Sequence, residues 1–364
     1  MYFELKNIGA IKYAKVELGK LTVICGKNNT GKTYITYSIY GFLRTLFDNV
    51  GETRFNSLNF LNQFYLKQLK DIFSANADEF ADAEFHLNFM DLDYDELIKK
   101  LPRPFILPAE RTGIQLFQKE LDKHRSDLVN ALVKNRNLDL LEDNVARFAL
   151  PLEKNIDFAR ATHVIKFNSF LKQENPELTT YIENMLGVQY EMLEGQKVII
   201  DKTTHQVLPH YMSSGSVRAL FDLHLWLKHQ ALLGDILFID EPELNLHPEN
   251  QLKIARLLVK LINSGINVFI TTHSDYIIKE FNNLLMLANE FPEKEILMAE
   301  CGYTQDDVLK SENLRAYLAH TDGTVSPVDI DEYGMIQSGF DDVIVQINET
   351  SNKFISAIDN LLAS

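Results

Sequence analysis

The sequence of 364 residues predicts an α/β fold, in which a mixed sheet has flanking helices and a separate antiparallel β region. The central strands are predicted by continuous apolar runs, which are typical of strands buried on both faces. Helical stretches follow two of these runs, at residues 34–47 and 249–264. The antiparallel strands are predicted by alternation of apolar and polar residues over residues 2–18 and 188–208. The continuous apolar runs are residues 21–25, 235–239 and 267–272.

A glycine-rich segment between the first apolar run and the first helix fits the phosphate-binding pattern G-x-x-x-x-G-K-[ST]. Free backbone N–H groups converge on an anion where a strand passes into a helix in this way. Lys32 is placed to supply a cation at the β- and γ-phosphates, and the Thr33 hydroxyl is placed to bind magnesium. The alternative is a chance glycine-rich turn. The candidate nucleotide-binding residues of the segment are Gly26, Asn28, Asn29, Thr30, Gly31, Lys32 and Thr33.

Two adjacent carboxylates, Asp240 and Glu241, end the apolar run 235–239. Neighbouring side chains of a strand point in different directions, so one carboxylate could hold magnesium while the other polarises water. A purely structural pair is the alternative, although two acids at a buried strand end are costly without a cation. His273 ends the run 267–272 and is placed to contact a γ-phosphate.

A second serine- and glycine-containing turn precedes the long amphipathic stretch 219–233. Its residues Ser213, Ser214 and Gly215 form a candidate anion site at a helix start, and an ordinary helix cap is the alternative. Gln115 follows a short apolar strand between prolines at residues 104–108. It is a candidate for binding magnesium or positioning water, and a plain surface role is the alternative.

The composition indicates a cytoplasmic protein, because we find no signal peptide and no apolar run long enough to span a bilayer. Cys25 and Cys301 are too few for a disulfide framework. The formal charge of −15 does not support nucleic-acid binding, although a local basic surface would not appear in the sum. No membrane partner is expected.

The motifs carry a resemblance when they are taken in chain order. A phosphate loop, a Ser-Ser-Gly turn, a strand ending in Asp-Glu, a Leu-Asn-Leu-His-Pro turn and a strand ending in Thr-Thr-His-Ser resemble an ABC-class ATPase. Within that class, the chain resembles the SMC-like and overcoming-lysogenization-defect (OLD) branch, which includes PtuA-like bacterial defence ATPases. The resemblance implies an ABC-type ATPase head with ATP and Mg²⁺ as cofactors.

The same resemblance implies a role for each motif residue. Lys32 and Thr33 would hold phosphate and magnesium, and Asp240 would support the magnesium. Glu241 would be the general base for water, and His273 would sense the γ-phosphate. The chain is then expected to be an ATP hydrolase.

The resemblance also implies a homodimer that closes around ATP, in which Ser213 and Gly215 contact the nucleotide of a second protomer. The turn reads Ser-Ser-Gly-Ser where the family has Ser-Gly-Gly-Gln. The family pattern implies a regulator that controls an effector protein, a nuclease or a toxin, in anti-phage defence. A transporter subunit is disfavoured, because a long segment separates Thr33 from Gly215.

Two alternatives stay open. The first is an SMC- or RecF-like ATPase in DNA repair or chromosome maintenance. The second is an OLD-type nuclease with a degenerate TOPRIM domain, for which Glu300, Asp329 and Asp331 superficially offer the acidic residues.

The predicted division of the chain has a helical insertion inside the ATPase head and an extension that ends in an amphipathic helix. The parts are residues 1–115 for the N-terminal half of the head, 116–186 for the insertion, 187–300 for the C-terminal half and 301–364 for the extension. The apolar stripe of the last helix consists of Phe340, Ile344, Ile347, Phe354, Ile358 and Leu361 with Ser351 among them.

Overall fold

The computed structural model describes residues 1–49, 58–88, 101–117, 120, 123, 148–161, 167–193, 196–331 and 333–335. The strands are β1 Tyr2–Ile8, β2 Ile11–Glu17, β3 Leu21–Gly26, β4 Glu84–Asn88, β5 Pro104–Leu107, β6 Val188–Leu193, β7 Gln196–Asp201, β8 Val207–Pro209, β9 Ile236–Asp240, β10 Asn267–Thr272, β11 Leu314–Ala319, β12 Val325–Pro327, β13 Ile330–Asp331 and β14 Gly334–Met335. The numbered helices are α1 Lys32–Asp48, α2 Leu58–Phe73, α3 Leu150–Ala161, α4 Phe170–Glu174, α5 Glu177–Leu186, α6 Gly215–His229, α7 Pro248–Asn263, α8 Asp275–Met286 and α9 Lys294–Glu300.

The centre of the fold is a six-stranded sheet with the order β12-β11-β3-β10-β9-β5. Strands β11, β3, β10, β9 and β5 pair in parallel, and β12 pairs antiparallel with β11. The sheet is therefore mixed, and helices pack on both of its faces. The predicted α/β fold class is confirmed.

Alternate residues of the central strands enter two different hydrophobic cores. Val23 and Ile239 belong to the core that α6, α7 and α8 cover, while Ile24 and Phe238 belong to the core that α1 and α2 cover. Because both faces are buried, the strands need apolar side chains at every position. This requirement explains why β3, β9 and β10 read as continuous apolar runs.

Two three-stranded antiparallel sheets flank the central one, and β13 and β14 form a separate two-stranded pair. The first has the order β2-β1-β4, and the second has the order β6-β7-β8, as the period-two patterns predicted for all of these strands except β4. The sequence analysis missed β4, since Glu84–Asn88 is short and is not bounded by glycine or proline. In the sheet, Phe85 of β4 packs against Phe3 and Phe42 with ring centroids 5.9 and 5.0 Å away.

A second unexpected feature is the pair β11 and β12, which lies inside the predicted extension 301–364. Leu314 to Ala319 pair in parallel with Leu21 to Gly26, so this part of the chain completes the sheet that carries the phosphate loop. The division of the chain into domains stays a prediction. The predicted C-terminal amphipathic helix, residues 340–361, lies outside the described residues.

Of the predicted insertion, residues 116–186, the structure describes 148–161 and 167–186. It also describes residues 116, 117, 120 and 123. Within that part, the chain forms the helices α3, α4 and α5 and no strand. Phe158 of α3 contacts Phe105 of β5, and Phe105 stacks on Trp226 of α6 with ring centroids 5.0 Å apart. These aromatic contacts fix α3 and α6 against the edge strand β5.

Candidate functional site

The candidate site lies at the carboxyl edge of the central sheet. In the parallel registers, Asp240 of β9 aligns with Thr271 of β10, and Thr272 aligns with Cys25 at the end of β3. Loops that follow parallel strands meet at one edge, which is where open α/β sheets bind ligands. The fold therefore brings the phosphate loop, the two carboxylates and the histidine together.

The phosphate loop has the backbone conformation that anion binding needs. Gly26, Asn29 and Gly31 have φ angles of 150°, 62° and 85°, and α1 begins directly after Gly31. No side chain caps the start of α1, so its first N–H groups are left for a ligand. Asn28 and Asn29 lie exposed at the loop tip, while Thr30 is buried and donates to the Lys27 carbonyl oxygen at 2.9 Å.

Lys32 folds back over this loop. Its Nζ atom donates to the carbonyl oxygens of Gly26 at 2.9 Å and Lys27 at 2.7 Å, and the residue is only 6% exposed. Burial lowers the pKa of Lys32, although the nearby carboxylates of Glu241 and Asp240 oppose this effect. When a nucleotide binds, this ammonium group could donate to a phosphate oxygen in place of one of the two carbonyl oxygens.

Asp240 links the phosphate loop to the sheet. Its Oδ2 atom accepts a hydrogen bond from the Thr33 hydroxyl at 3.0 Å, and its Oδ1 atom accepts one from the Thr271 hydroxyl. Burial raises the pKa of Asp240, and these two hydrogen bonds act in the opposite direction. A divalent cation beside Thr33 would stabilise the ionised carboxylate that burial disfavours.

Glu241 and His273 face each other across the edge of the sheet. The Glu241 Oε1 atom lies 3.4 Å from His273 Nδ1, and the two side chains are 26% and 41% exposed. Glu241 has a φ angle of 53°, and its N–H group donates to the Thr271 carbonyl oxygen at 3.2 Å. This left-handed conformation directly follows Asp240, the last residue of β9.

Arg111 is a residue of the site whose role the sequence analysis missed. It is 1% exposed and donates to the carbonyl oxygens of Asp240 at 2.8 Å and Glu241 at 2.7 Å, as well as to those of Pro108 and Ala219. Burial lowers its pKa, and the charges of Asp240 and neighbouring acids oppose this. The available signal was the charged pair Glu110-Arg111, which follows the short strand between Pro104 and Pro108 and precedes Gly113.

Gln115 is buried among other polar groups. Its Nε2 atom donates to Asp222 Oδ1 at 2.6 Å, and its Oε1 atom accepts from Lys197 Nζ at 3.1 Å. Asn155 also contacts Asp222, whose pKa is raised by burial. To bind magnesium beside Asp240, Gln115 would have to leave these partners, and its assignment as a metal ligand stays a prediction.

The Ser-Ser-Gly turn forms the start of α6. Ser214 is the N-cap and accepts from the Val217 N–H group at 3.4 Å, while the Ser213 hydroxyl donates to the His210 carbonyl oxygen at 2.6 Å. A Cβ atom on Gly215 would lie 3.3 Å from Asn245, in the turn after Glu241. Among the described residues, no hydrogen bond joins this turn to the phosphate loop of the same chain.

The donor set fits a nucleoside triphosphate with magnesium. The uncapped start of α1 offers N–H groups, Lys32 offers a cation, and Thr33 and Asp240 offer the oxygen ligands that Mg²⁺ prefers. The glycines of the loop are also required by space, since a Cβ atom on Gly26 would lie 2.6 Å from the Ala319 carbonyl oxygen.

The acidic residues of the alternative nuclease site are arranged differently. Asp331 accepts from the N–H groups of Tyr333 at 2.9 Å and Gly334 at 3.0 Å, so it closes the β13–β14 turn. In the described part of the chain, no group of three or more His, Cys, Asp or Glu side chains is arranged to hold a metal. Glu300, Asp329 and Asp331 therefore form no such group there.

No helix of the described residues is long and apolar enough to cross a membrane.

Comparison with known families identifies the class of the chain. Residues 66–279 match the family model described as "AAA domain, putative AbiEii toxin, Type IV TA system". The match spans more than half of the sequence, and the chain belongs to this AAA-domain family. The predicted nucleotide-binding class is confirmed at this level, while the OLD-like and PtuA-like branch stays a prediction. No curated protein matches the chain.

Solved structures with similarity to the chain include SMC head domains and a part of an ABC transporter complex. The Smc head domain of Pyrococcus furiosus, bound to the C-terminal domain of ScpA, is 14% identical, with 96% of this chain and 98% of that chain covered and a TM-score of 0.41. The SMC head domain of Thermotoga maritima is 12% identical, with 90% and 98% covered and a TM-score of 0.39. CbiO1 of Clostridium perfringens is 13% identical, with 100% and 98% covered and a TM-score of 0.33. Because these TM-scores lie below 0.5, the likenesses carry no argument, and the fold rests on the sheet order given above.

Proposed function

We propose that the chain binds ATP with magnesium and hydrolyses it. The observation that carries this proposal is the 3.0 Å hydrogen bond between Thr33 and Asp240, which joins the uncapped start of α1 to the carboxylate at the end of β9. This bond places a hydroxyl and a carboxylate oxygen together, next to free N–H groups. A magnesium-bound phosphate chain needs this combination.

Each residue then has one task. The first N–H groups of α1 and the Lys32 ammonium bind the phosphate oxygens, and Thr33 with Asp240 holds the magnesium. When bound, the magnesium nucleotide supplies a polarised γ-phosphate for attack by water. A Glu241 carboxylate oxygen takes the proton from that water, and His273 contacts the γ-phosphate.

We also propose that two copies of the chain close around ATP. The Ser214 side chain is exposed, Ser213 and Gly215 are half-buried, and the start of α6 offers further N–H groups. Among the described residues this turn has no hydrogen bond to the phosphate loop of its own chain. A second protomer would supply the missing contact, with Ser213 and Gly215 facing the nucleotide from the opposite side.

The dimer is proposed to regulate an effector protein, a nuclease or a toxin encoded nearby, in anti-phage defence in the cytoplasm. The family description supports this role, because it names a putative toxin and a toxin–antitoxin system. The described acidic residues support an effector on another chain, since they form no three-residue metal group.

The alternative is an ATPase of DNA repair or chromosome maintenance. An ATPase that binds DNA is expected to have a basic surface on its head. The outer face of the β2-β1-β4 sheet instead has both acidic and basic side chains. On this face Glu4 pairs across the strands with Lys15, and Lys6 lies 2.9 Å from Glu84. The mixed charge favours the regulatory role over this alternative.

The test is ATP binding and hydrolysis by the full chain. Lys32→Ala should abolish ATP binding, and Glu241→Gln should bind ATP but hydrolyse it at least roughly a hundredfold more slowly. Lys27→Ala is the matched control, because its side chain is exposed in the same loop, and this variant should behave as the wild type. Equal ATP affinity in the wild type and Lys32→Ala would refute the proposed site.

A further inference from the structure

A third acidic residue lies beside the catalytic pair. Glu243 is only 5% exposed, in the turn that follows β9. Its Oε1 atom accepts hydrogen bonds from the Thr272 hydroxyl and from the His273 N–H group, both at 2.8 Å. The same oxygen lies 3.3 Å from His273 Nδ1. Glu243 therefore contacts the histidine through both its backbone and its ring.

The carboxylates of Glu241 and Glu243 both lie on the Nδ1 side of the His273 imidazole. Glu241 Oε1 lies 3.4 Å and Glu243 Oε1 lies 3.3 Å from the same ring nitrogen, Nδ1. A carboxylate is an acceptor only, so a proton on Nδ1 is favoured at this place. The other ring nitrogen, Nε2, would then be an acceptor in the neutral ring.

Burying the Glu243 carboxylate costs free energy, so we infer that its charge contributes to the function of the site. Its Oε2 atom is buried and has no hydrogen-bond partner, which is a costly arrangement for a carboxylate. A threonine or glutamine side chain could support the end of β10 at a smaller cost. The charge of Glu243 lies beside the His273 ring, 3.3 Å from Nδ1.

We propose that Glu243 is a positioning residue that fixes the Nδ1–H tautomer and the orientation of His273. Glu243 acts through the histidine and touches no substrate. The histidine then presents one defined ring nitrogen to the nucleotide, instead of two interchangeable ones. The catalytic consequence rests on the proposed ATPase function, whereas the tautomer is a property of the protein without nucleotide.

The first measurement is the imidazole nitrogen spectrum of the full chain, labelled with ¹⁵N-histidine and free of nucleotide, at about pH 8. The His273 signals are identified by their absence in His273→Gln. We expect the Nδ1–H tautomer to predominate in the wild type. Glu243→Gln preserves the shape and one acceptor oxygen but removes the charge, and it should lower the Nδ1–H population to roughly half or less.

Thr272→Val separates positioning from simple support of the strand end. This variant removes the hydroxyl that binds Glu243 but leaves the carboxylate beside His273, so the wild-type tautomer should persist. An unchanged tautomer in Glu243→Gln overturns the proposal. The same tautomer loss in Thr272→Val also overturns it, because the effect would then follow from support of β10.

The second measurement separates this inference from the proposed function. In Glu243→Gln, ATP affinity should stay within about twofold of the wild type, while the hydrolysis rate should fall at least roughly tenfold. A changed tautomer with a normal hydrolysis rate would refute the catalytic consequence. Failure of the wild type to bind ATP would refute the proposed function and leave the tautomer result standing.

Discussion

At the residue scale, a single buried cation holds the edge of the site together. The guanidinium of Arg111 bridges four carbonyl oxygens, which belong to the ends of β5 and β9 and to α6. The planar fork of arginine has five N–H donors in a fixed geometry, whereas lysine has three on a single nitrogen. Arg111 thus fixes the backbone that carries Asp240 and Glu241.

Arg111→Ala should strongly destabilise the protein, because it removes a buried side chain together with its hydrogen bonds to four carbonyl oxygens. We expect the free energy of unfolding to fall by at least about 3 kcal/mol, measured by urea unfolding. Arg315→Ala is the control, since its ion pair with Glu17 is more than a third exposed on both sides and should contribute less than about 1 kcal/mol. Equal losses in the two variants would contradict the role of Arg111.

A second residue-scale feature is the buried histidine of α6. His224 Nε2 lies 3.1 Å from Glu183 Oε1, its Nδ1 atom has no partner, and the residue is 1% exposed. Burial lowers the pKa of His224, and the hydrogen bond to Glu183 opposes this shift. The folded protein therefore binds fewer protons at this residue than the unfolded chain as pH falls below about 6.5.

The sign of this shift predicts acid destabilisation. The free energy of unfolding should decrease as pH falls from about 7 to 5, by at most about 1.4 kcal/mol per unit for His224. In His224→Gln this slope should be shallower, as measured by urea unfolding at each pH. His86→Gln, at an exposed histidine of β4, should keep the wild-type slope. A wild-type slope in His224→Gln would show that unfolding does not change the number of protons bound at His224.

At the element scale, β11 forms one wall of the phosphate loop. Ala319 pairs with Gly26, and the Cys25 thiol donates to the Tyr317 carbonyl oxygen at 3.1 Å. The loop therefore begins in contact with a strand that follows it by almost three hundred residues in the sequence. This strand restricts which residue can stand at position 26.

Gly26→Ala should disrupt the loop for two reasons. The φ angle of 150° is unfavourable for alanine, and the new Cβ atom would lie 2.6 Å from the Ala319 carbonyl oxygen. We expect at least roughly a tenfold loss of ATP affinity in a titration with a fluorescent ATP analogue. Gly113→Ala is the control, because nothing lies within 4 Å of its Cβ position. Unchanged affinity in Gly26→Ala would show that β11 can move away.

At the scale of the whole molecule, the start of α1 and the start of α6 are two anion sites on one chain. The α1 site has its cation and its carboxylates, whereas the α6 site has serine hydroxyls, N–H groups and Arg218, which donates to the Ser213 carbonyl oxygen. The proposed dimer joins the first site of one copy to the second site of the other. Assembly would then depend on nucleotide.

Glu241→Gln should accumulate as a dimer in ATP and magnesium, because it would bind ATP without consuming it. Light scattering is expected to show twice the mass of the nucleotide-free protein. Ser214→Arg, which places a bulky cation at the exposed start of α6, should stay monomeric in the Glu241→Gln background while retaining ATP binding. A single mass for Glu241→Gln with and without ATP, at full occupancy, would exclude the sandwich.

The sequence alone determined the central strands and the phosphate loop, because their signals are local. A strand buried on both faces is apolar at every position, and the loop needs glycines and a lysine at fixed spacing. The antiparallel strands β1, β2, β6 and β7 were found for the same reason. The carboxyl edge of the sheet then follows from parallel pairing, so Asp240 and His273 could be placed near the loop.

Only the tertiary structure decided which distant side chains complete the site. Arg111 and Glu243 act through contacts with the ends of β9 and β10, and a sequence pattern does not show which carbonyl or N–H group a buried charge will meet. The partners of Gln115, and the pairing of β11 with β3, are likewise contacts between residues far apart in the chain. Local propensity is insensitive to such contacts, because their energy comes from burial and pairing that exist only once the sheet is assembled.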